Sequence, residues 1–273
     1  MNRYGWRTFA LEIGMIAVTL LFAFPLYVLV NLSLRPEGQL SSPLAIHWPP
    51  TFANYSSAWH QAALGRAIFD SLVITVGSVA VVVIVSSMAA YPLARSTARL
   101  SRWTFGLFML GLLLPFQLAL LPLYTAMRDL HLLGSLWGLI LFYSGLQVPF
   151  CVFLYTAFLR AVPRDYEEAA VLDGCTPLRA FRHVVFPLLR PVTGTVVILN
   201  AIFVWNDFLT PLLYLSGTDR QTIPVAIFTF VGQYSSDWQL VFAALVMGIA
   251  PILLVYFAMQ RQIIRGFSGG LKG

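Results

Sequence analysis

Six long apolar stretches constrain the fold of this chain more than any other feature of its sequence. Each carries at most one charged residue, and they cover residues 9–32, 72–94, 105–124, 136–159, 192–215 and 240–260. A helix needs about 20 apolar residues to cross the ~30 Å hydrocarbon core of a bilayer. Only 10% of the 273 residues are charged, whereas about 25% are charged in a soluble domain. The sequence therefore predicts an all-α membrane protein whose six transmembrane helices form a single domain over residues 1–273.

The basic residues are distributed unevenly over the segments that connect these stretches. Thirteen of the 17 Lys and Arg residues lie before the first stretch, between the second and third, between the fourth and fifth, or after the sixth. The other four lie in the alternate segments, at Arg35, Arg66, Arg128 and Arg220. Because basic residues accumulate on the cytoplasmic side of a membrane protein, both termini are predicted to be cytoplasmic. The same distribution accounts for the net charge of +6 and argues against nucleic acid as a partner, which would require a basic patch.

Two segments carry further structural predictions. The second apolar stretch is predicted to be buried in a helix bundle, because small residues let helix backbones approach closely; its small residues are Gly77, Ser78, Ala80, Ser86, Ser87, Ala89 and Ala90. The segment 33–70 is predicted to be an irregular cap, because it holds the prolines Pro36, Pro43, Pro49 and Pro50.

Several nucleotide-binding and catalytic motifs are absent from the sequence, which limits the reactions that the chain could carry out by itself. A phosphate-binding G-x-x-x-x-G-K-[ST] loop needs a Lys followed by Ser or Thr, but the only Lys, Lys272, is followed by Gly273. No apolar stretch contains an H-E-x-x-H or G-x-S-x-G motif, and no His shows metal-ligand spacing. The chain is therefore predicted to be non-catalytic, with no catalytic residue, metal site or cofactor of its own. An ion-coupled secondary transporter is the alternative, although such proteins place several charged residues deep in the membrane and this chain offers chiefly Asp207.

The segment 160–190 carries the densest mixed charge in the chain. Pro163 can open a helix, and acidic residues favour the first turns of a helix; here they are Asp165, Glu167 and Glu168. Gly174 is a natural helix stop, and Thr176 followed by Pro177 is typical of a new helix start. The sequence predicts two short helices around a tight glycine turn. Such a hairpin could rest on lipid headgroups, or dock in a cleft through a smooth face of Ala169 and Ala170 with charges that set the register.

A motif in this segment favours docking. Glu168-Ala169-Ala170, three residues, Gly174, nine residues, Val184, one residue and Phe186-Pro187 resemble the coupling loop of ABC importer permeases. The family pattern is E-A-A, three, G, nine, I, one, L-P. Val184 and Phe186 depart from the usual Ile and Leu but remain apolar.

The resemblance extends over nearly the whole chain and is closest to carbohydrate-uptake permeases of the maltose type. Similar stretches lie at residues 205–209, 211–212, 223–225, 232–234, 237–238 and 260–261, and residues 265–273 resemble the ending of the smaller maltose-type permease. The resemblance implies the type I ABC importer permease fold, in the inner (plasma) membrane of a bacterium. The solute implied is an oligosaccharide, monosaccharide or polyol, with a glycerol-phosphate-type permease as the alternative.

The same resemblance implies partners. They are a second permease subunit that forms a heterodimer with this chain, a dimer of ATPase subunits that binds ATP and Mg²⁺, and an extracytoplasmic solute-binding protein. ATP-driven closure of the ATPase dimer would pull the coupling loop and switch the permease pair between inward-open and outward-open states.

Three groups of residues follow from the resemblance, and a fourth follows from the charge inside the fifth apolar stretch. The ATPase-coupling loop contributes Glu167, Glu168, Ala169, Ala170, Asp173, Gly174, Val184, Phe186 and Pro187. The cytoplasmic tail, 261–273, contributes Arg265, Gly266, Gly269, Gly270, Lys272 and Gly273. The loop that faces the binding protein contributes Gly232, Gln233, Tyr234, Asp237 and Trp238. Asn206 and Asp207 are candidates for the translocation path, where Asp207 either contacts solute or serves helix packing or an outer gate.

Overall fold

The computed structural model describes residues 5–36, 42, 44–113, 115–231 and 237–269, with the backbone alone at residues 7, 255, 256 and 258–269. Over these ranges the chain is built from helices, which confirms the predicted all-α fold. They are α1 (Trp6–Ser33), α2 (Ala53–Gln61), α3 (Leu64–Arg95), α4 (Arg99–Leu113), α5 (Phe116–Asp129), α6 (Leu136–Ala161), α7 (Asp165–Leu172), α8 (Pro177–Ala180), a π-helical turn (Phe181–Val185), α9 (Phe186–Leu188), α10 (Arg190–Asn206), α11 (Leu209–Tyr214), α12 (Ile223–Phe228) and α13 (Trp238–Gly269).

The helices fall into two compact units. The first combines Met1–Ala67 with Ile223–Leu253, and the second combines Ile68–Thr222 with Leu254–Gly273. The second unit contains most of α3, the helices α4 to α11 and the segment 160–190. That the whole chain forms a single transmembrane domain stays a prediction.

All six predicted apolar stretches lie in helices, but two of them are not single rods. Among the described residues, α1 from Thr8, α3 and α6 are each long and apolar enough to cross a membrane. The axes of α4 and α5 differ by 101°, because Pro115 is extended at the break and proline removes a backbone donor. Up to five crossings result when bent pairs count as one, and α13 adds a shorter apolar stretch, Trp238–Leu254. Six crossings therefore stay a prediction.

The fifth stretch, 192–215, breaks at a position that the sequence did not indicate. The sequence predicts one transmembrane helix here, but α10 ends at Asn206 and Asp207 has an extended backbone. The helix resumes only at Leu209. The Asp207 carboxylate stabilises this break, because it accepts a hydrogen bond from the Leu209 backbone N–H at 3.1 Å. That N–H is the first of α11 and has no acceptor within the helix.

Helix α6 forms the centre of the second unit. It packs against α4, α10 and α11, and the side chains of Leu139, Tyr143, Tyr155 and Leu159 are fully buried. One apolar cluster surrounds Tyr155 and Leu159 with residues of α3, the π-helical turn and α10. A second cluster surrounds Leu139 and Tyr143 with residues of α3, α5 and α11.

The small residues of α3 are mostly buried, as predicted. Ser78, Ser86, Ser87 and Ala90 are buried, whereas Ala80 is exposed. A Cβ added at Gly77 would lie 2.7 Å from Cδ1 of Ile140 on α6. The missing side chain at Gly77 therefore lets α3 and α6 approach each other closely.

The prediction of an irregular cap over 33–70 is wrong, because the segment contains α2 and the start of α3. The four prolines lie outside α2. The helix is anchored by Asn54, whose Nδ2 donates to the carbonyl oxygens of Ser33 at 2.8 Å and Arg35 at 2.6 Å. Hydrogen bonds from a buried amide hold this helix in place where local sequence suggested a loop.

Gly138 provides a test of how closely α6 packs against the segment before it. A Cβ added at Gly138 would overlap the backbone carbonyl oxygen of Leu132, whereas one added at Gly145 on the same helix would meet nothing within 4 Å. We expect Gly138→Ala to destabilise the protein by about 1–3 kcal/mol through overpacking. Gly145→Ala, the matched control, should be neutral or stabilising because Ala favours a helix over Gly by about 1 kcal/mol. The measurement is the thermal midpoint of the detergent-solubilised protein, and equal midpoints for the two variants would contradict the prediction.

Candidate functional site

The segment between α6 and α10 folds as a hairpin, here defined as α7, α8, the π-helical turn and α9. Its first half ends as predicted, because Gly174 has a φ of +81°, a left-handed conformation that glycine adopts without strain. The Gly174 N–H donates to the Val171 carbonyl at 3.0 Å, and the Cys175 N–H donates to the Ala170 carbonyl at 2.9 Å. The predicted glycine turn between two short helices is confirmed.

The second half of the hairpin starts and ends at identifiable residues. Thr176 precedes α8, and its hydroxyl accepts a hydrogen bond from the Arg179 N–H at 3.4 Å, with Pro177 in the first turn. The Phe186 N–H then bonds to the Phe181 carbonyl, five residues earlier. This wider turn directly precedes Pro187, which has no N–H to continue the helical pattern.

The hairpin has one face packed against the protein and one face exposed. Ala170, Ala180 and Val185 are buried, and Val184, Phe186 and Pro187 are half-buried. The exposed residues include Glu168, Ala169, Asp173 and Gly174. Ala170 thus belongs to the packed face, so of the two alanines expected to form a smooth docking face only Ala169 is available on the surface.

Three large aliphatic side chains of the hairpin are exposed, and we call them the apolar tip residues. They are Val171, Leu172, which is 87% exposed, and Leu178, which is 66% exposed. Sequence reasoning missed them, although apolar residues within the most charged segment of the chain were a usable signal. Large exposed apolar patches on a protein commonly mark an interaction site.

The hairpin is joined to the end of α3 by an ion pair that the sequence did not indicate. Arg95, the last residue of α3, donates from Nε at 2.8 Å and from Nη2 at 2.6 Å to Oε1 of Glu167. Both side chains are only 13% exposed. Arg164 Nη2 donates in turn to the Arg95 carbonyl at 2.8 Å. Of the two adjacent glutamates, Glu167 faces the protein and Glu168 faces outward.

An open groove lies beside this ion pair. Seven residues line it: Tyr91, Arg95, Arg164, Glu167, Glu168, Val171 and Leu172. Residues of the coupling motif, the apolar tip and the end of α3 therefore share one surface.

Asn206 and Asp207 lie at the break between α10 and α11. The second carboxylate oxygen of Asp207 accepts a hydrogen bond from the buried Tyr143 hydroxyl at 2.9 Å, so both of its oxygens have protein donors. Asn206 is exposed, and its Nδ2 donates to the Ile202 carbonyl at 2.8 Å. The structure thus gives Asp207 a local role at the start of α11 and leaves Asn206 on the surface.

The remaining predicted residues are only partly described. Asp237 and Trp238 are exposed at the start of α13, whereas Gly232, Gln233 and Tyr234 lie outside the described residues. Arg265, Gly266 and Gly269 belong to α13, whereas Gly270, Lys272 and Gly273 lie outside the described residues. Within the described ranges, no group of three His, Cys, Asp or Glu side chains could hold a metal ion.

Comparison with known proteins assigns the chain to a family, and the matched region includes the hairpin. Residues 82–269 match the family described as "Binding-protein-dependent transport system inner membrane component". The melibiose/raffinose/stachyose import permease protein MelC of Bacillus subtilis (strain 168) is 34% identical over 251 residues, 91% of each chain. The multiple sugar-binding transport system permease protein MsmG of Streptococcus mutans is 35% identical over 272 residues, 98% of this chain and 96% of that protein.

A solved structure shares the fold. A chain from the crystal structure of a bacterial ABC transporter involved in the import of the acidic polysaccharide alginate superposes with a TM-score of 0.82 at 21% identity, over 96% of this chain and 99% of that chain. The predicted ABC importer permease fold is confirmed. The matched family region contains the hairpin, its ion pair with α3 and the broken helix at Asp207, and the chain belongs to the multi-pass inner-membrane components of binding-protein-dependent transport systems, the permeases of ABC importers.

Proposed function

We propose that this chain is a non-catalytic permease subunit that forms, with a second permease, the translocation path of a carbohydrate importer. Two relatives that are 34% and 35% identical over most of the chain are named as a melibiose/raffinose/stachyose import permease and a multiple sugar-binding transport system permease. These names best support the import of a carbohydrate that an extracytoplasmic binding protein delivers. Membership of this permease family also argues against the alternative function, an ion-coupled secondary transporter.

The exposed apolar tip of a stiff hairpin is the observation that carries the coupling role. Leu172 is 87% exposed, although burial of a leucine side chain contributes about 1.5–3 kcal/mol. Glu168 and Asp173 are exposed on the same helix and its C-cap, where charges can set the orientation of a partner. The hairpin therefore docks into an apolar cleft of an ATPase subunit, with the tip residues as anchors and the acids at the rim.

The energy for transport comes from that partner. The chain has one Lys, and its context excludes a phosphate-binding loop. Alternating access requires two states of the permease pair, and a partner can shift their balance only through contacts that differ between the states. The hairpin supplies such contacts, while ATP and Mg²⁺ bind to the ATPase subunits.

The other predicted contacts follow from the same arrangement. Both termini lie in the cytoplasm, and the C-terminal end of α13 with the residues beyond it reaches the ATPase subunits. On the opposite side, Asp237 and Trp238 contact the binding protein. Asn206 is the better candidate for contact with solute, because its side chain is exposed whereas both Asp207 oxygens are occupied by protein donors.

Leu172 offers a test of docking. We expect Leu172→Ser to weaken the affinity of the purified permease pair for the ATPase subunit by roughly 10- to 100-fold, the equivalent of about 1.5–3 kcal/mol of lost apolar burial. The matched control is Leu130→Ser, because Leu130 is also exposed, at 64%, but lies after α5. Both affinities can be measured in lipid nanodiscs. A similar loss for both variants, or no loss for Leu172→Ser, would count against docking through the tip.

Glu168 tests the role of charge in the same contact. Glu168→Arg reverses a rim charge, so it should abolish transport-coupled ATP hydrolysis while membrane insertion and heterodimer formation persist. Asp129→Arg reverses an exposed acid that pairs with the exposed Arg128, and it should leave hydrolysis unchanged. Wild-type hydrolysis by the Glu168 variant would refute a docking role for this residue.

Reconstitution tests the function as a whole. Vesicles that contain this chain alone should accumulate no labelled melibiose or raffinose, with or without an imposed proton or sodium gradient. Accumulation should require the second permease, the ATPase subunits, the binding protein and MgATP together, since this chain has no phosphate-binding loop of its own. Uphill uptake by the isolated chain along an ion gradient would overturn the proposal.

A further inference from the structure

Helix α3 is held near both of its ends by ion pairs with segments that are remote in sequence. One pair joins Arg95 to Glu167 in the hairpin, and the other joins Asp70 to Arg220 in the segment after α11. On the basis of the proposed function, we propose that Arg95 is a positioning residue that makes α3 move with the hairpin. In this way α3 carries the displacement of the hairpin across the membrane to the segment that holds Arg220.

The junction between α3 and the hairpin resists sliding and rotation. Two donors of the Arg95 guanidinium converge on one oxygen of Glu167, and a charge-assisted contact of this kind is short and directional. Both side chains are 13% exposed, so water competes less with this pair than with a surface pair. Arg164 also donates to the Arg95 carbonyl, where a cation satisfies the C-terminal end of a helix.

A second contact binds α3 to the other half of the hairpin. The rings of Tyr91 and Phe181 lie 5.5 Å apart, within the range of favourable aromatic pairs. Tyr91 and Arg95 are four residues apart and so share one face of α3. One face of the helix therefore contacts the hairpin both before and after the turn at Gly174, and a push on the hairpin reaches α3 through both halves.

The opposite end of α3 makes a single contact of this kind, to an arginine whose side chain is 42% exposed. Asp70 is 1% exposed, and its Oδ1 accepts from Arg220 Nη1 at 3.1 Å. The other oxygen of Asp70 is buried without a described hydrogen-bond partner. Removal of Arg220 would leave a buried carboxylate without its counter-charge, which is strongly unfavourable. Arg220 is therefore expected to stay paired with Asp70 when α3 moves.

The helix between these two ion pairs is continuous. At 1.5 Å per residue, the distance along α3 from Asp70 to Arg95 is about 37 Å, more than the ~30 Å hydrocarbon core. Its single proline, Pro92, lies in the last turn, where the Ser96 N–H still bonds to the Pro92 carbonyl at 2.9 Å. A helix of this length with no break can transmit a displacement from one side of a membrane to the other.

The test compares nucleotide trapping with movement at the far end of α3. The complete transporter, with its second permease and ATPase subunits in nanodiscs, carries nitroxide labels at Leu72→Cys and Trp137→Cys in a Cys175→Ser background. Both labelled positions are exposed, on α3 and at the start of α6. The distance between the labels is measured by pulsed electron resonance without nucleotide and with MgATP and vanadate, and retained labelled ADP reports closure of the ATPase dimer.

In the wild-type complex we expect vanadate to trap ADP and to shift the distance between the labels. Arg95→Ala should trap ADP at close to the wild-type level but lose at least half of the shift, because the hairpin then moves without α3. The charge swap Arg95→Glu with Glu167→Arg should restore the shift. Arg128→Ala removes a basic residue from an exposed pair and is the control that should change neither readout.

Three outcomes would overturn the inference. A wild-type shift in Arg95→Ala means that α3 moves without the ion pair. Parallel loss of trapped ADP and shift in Arg95→Ala means that the pair only shapes the hairpin for docking. A wild-type complex that traps ADP without a shift refutes transmission through α3 but leaves the proposed function intact, whereas a chain that neither associates with ATPase subunits nor supports trapping refutes both.

Discussion

Backbone hydrogen bonding in a lipid environment is the constraint on which this structure depends. Lipid offers no partner for an exposed N–H or carbonyl group, so a segment that crosses the membrane must satisfy its own backbone. The described part of the chain accordingly consists of helices. Where a helix breaks at Asp207, the carboxylate of that residue accepts hydrogen bonds from the first N–H of the next helix and from the Tyr143 hydroxyl. A break is tolerated there because a side chain supplies the missing acceptor.

The fold of the hairpin is determined by the residues that end and start its helices rather than by an apolar stretch. Gly174 turns the chain and Thr176 starts the next helix. These caps hold the two halves in a fixed arrangement, in which small apolar residues face the protein and Leu172 and Leu178 face outward. A stiff element with exposed leucines suits contact with another protein better than a flexible loop does, since less conformational entropy is lost on binding.

The ion pairs of α3 connect these two parts of the structure. A buried ion pair adds little to stability, because desolvation opposes the attraction between the charges. It does specify which groups stay together, since separation of the partners would leave a buried charge alone. The pairs of Arg95 with Glu167 and of Asp70 with Arg220 therefore keep their segments together rather than adding much to stability. Their positions near the two ends of one unbroken helix give the hairpin a continuous path through the second unit.

The sequence by itself determined the helical class, the positions of the apolar stretches and the caps of the hairpin. These features depend on composition and on residues within a few positions of one another, such as Gly174 and Thr176 at the turn. Only the tertiary structure decided that Ala170 faces inward, that Glu167 rather than Glu168 meets Arg95, and that Asp70 finds Arg220, 150 positions away. It also decided that Asn54 anchors a helix in a proline-rich segment. Local patterns cannot settle such points, because the partner of a buried polar side chain is whichever group packing brings within hydrogen-bond distance.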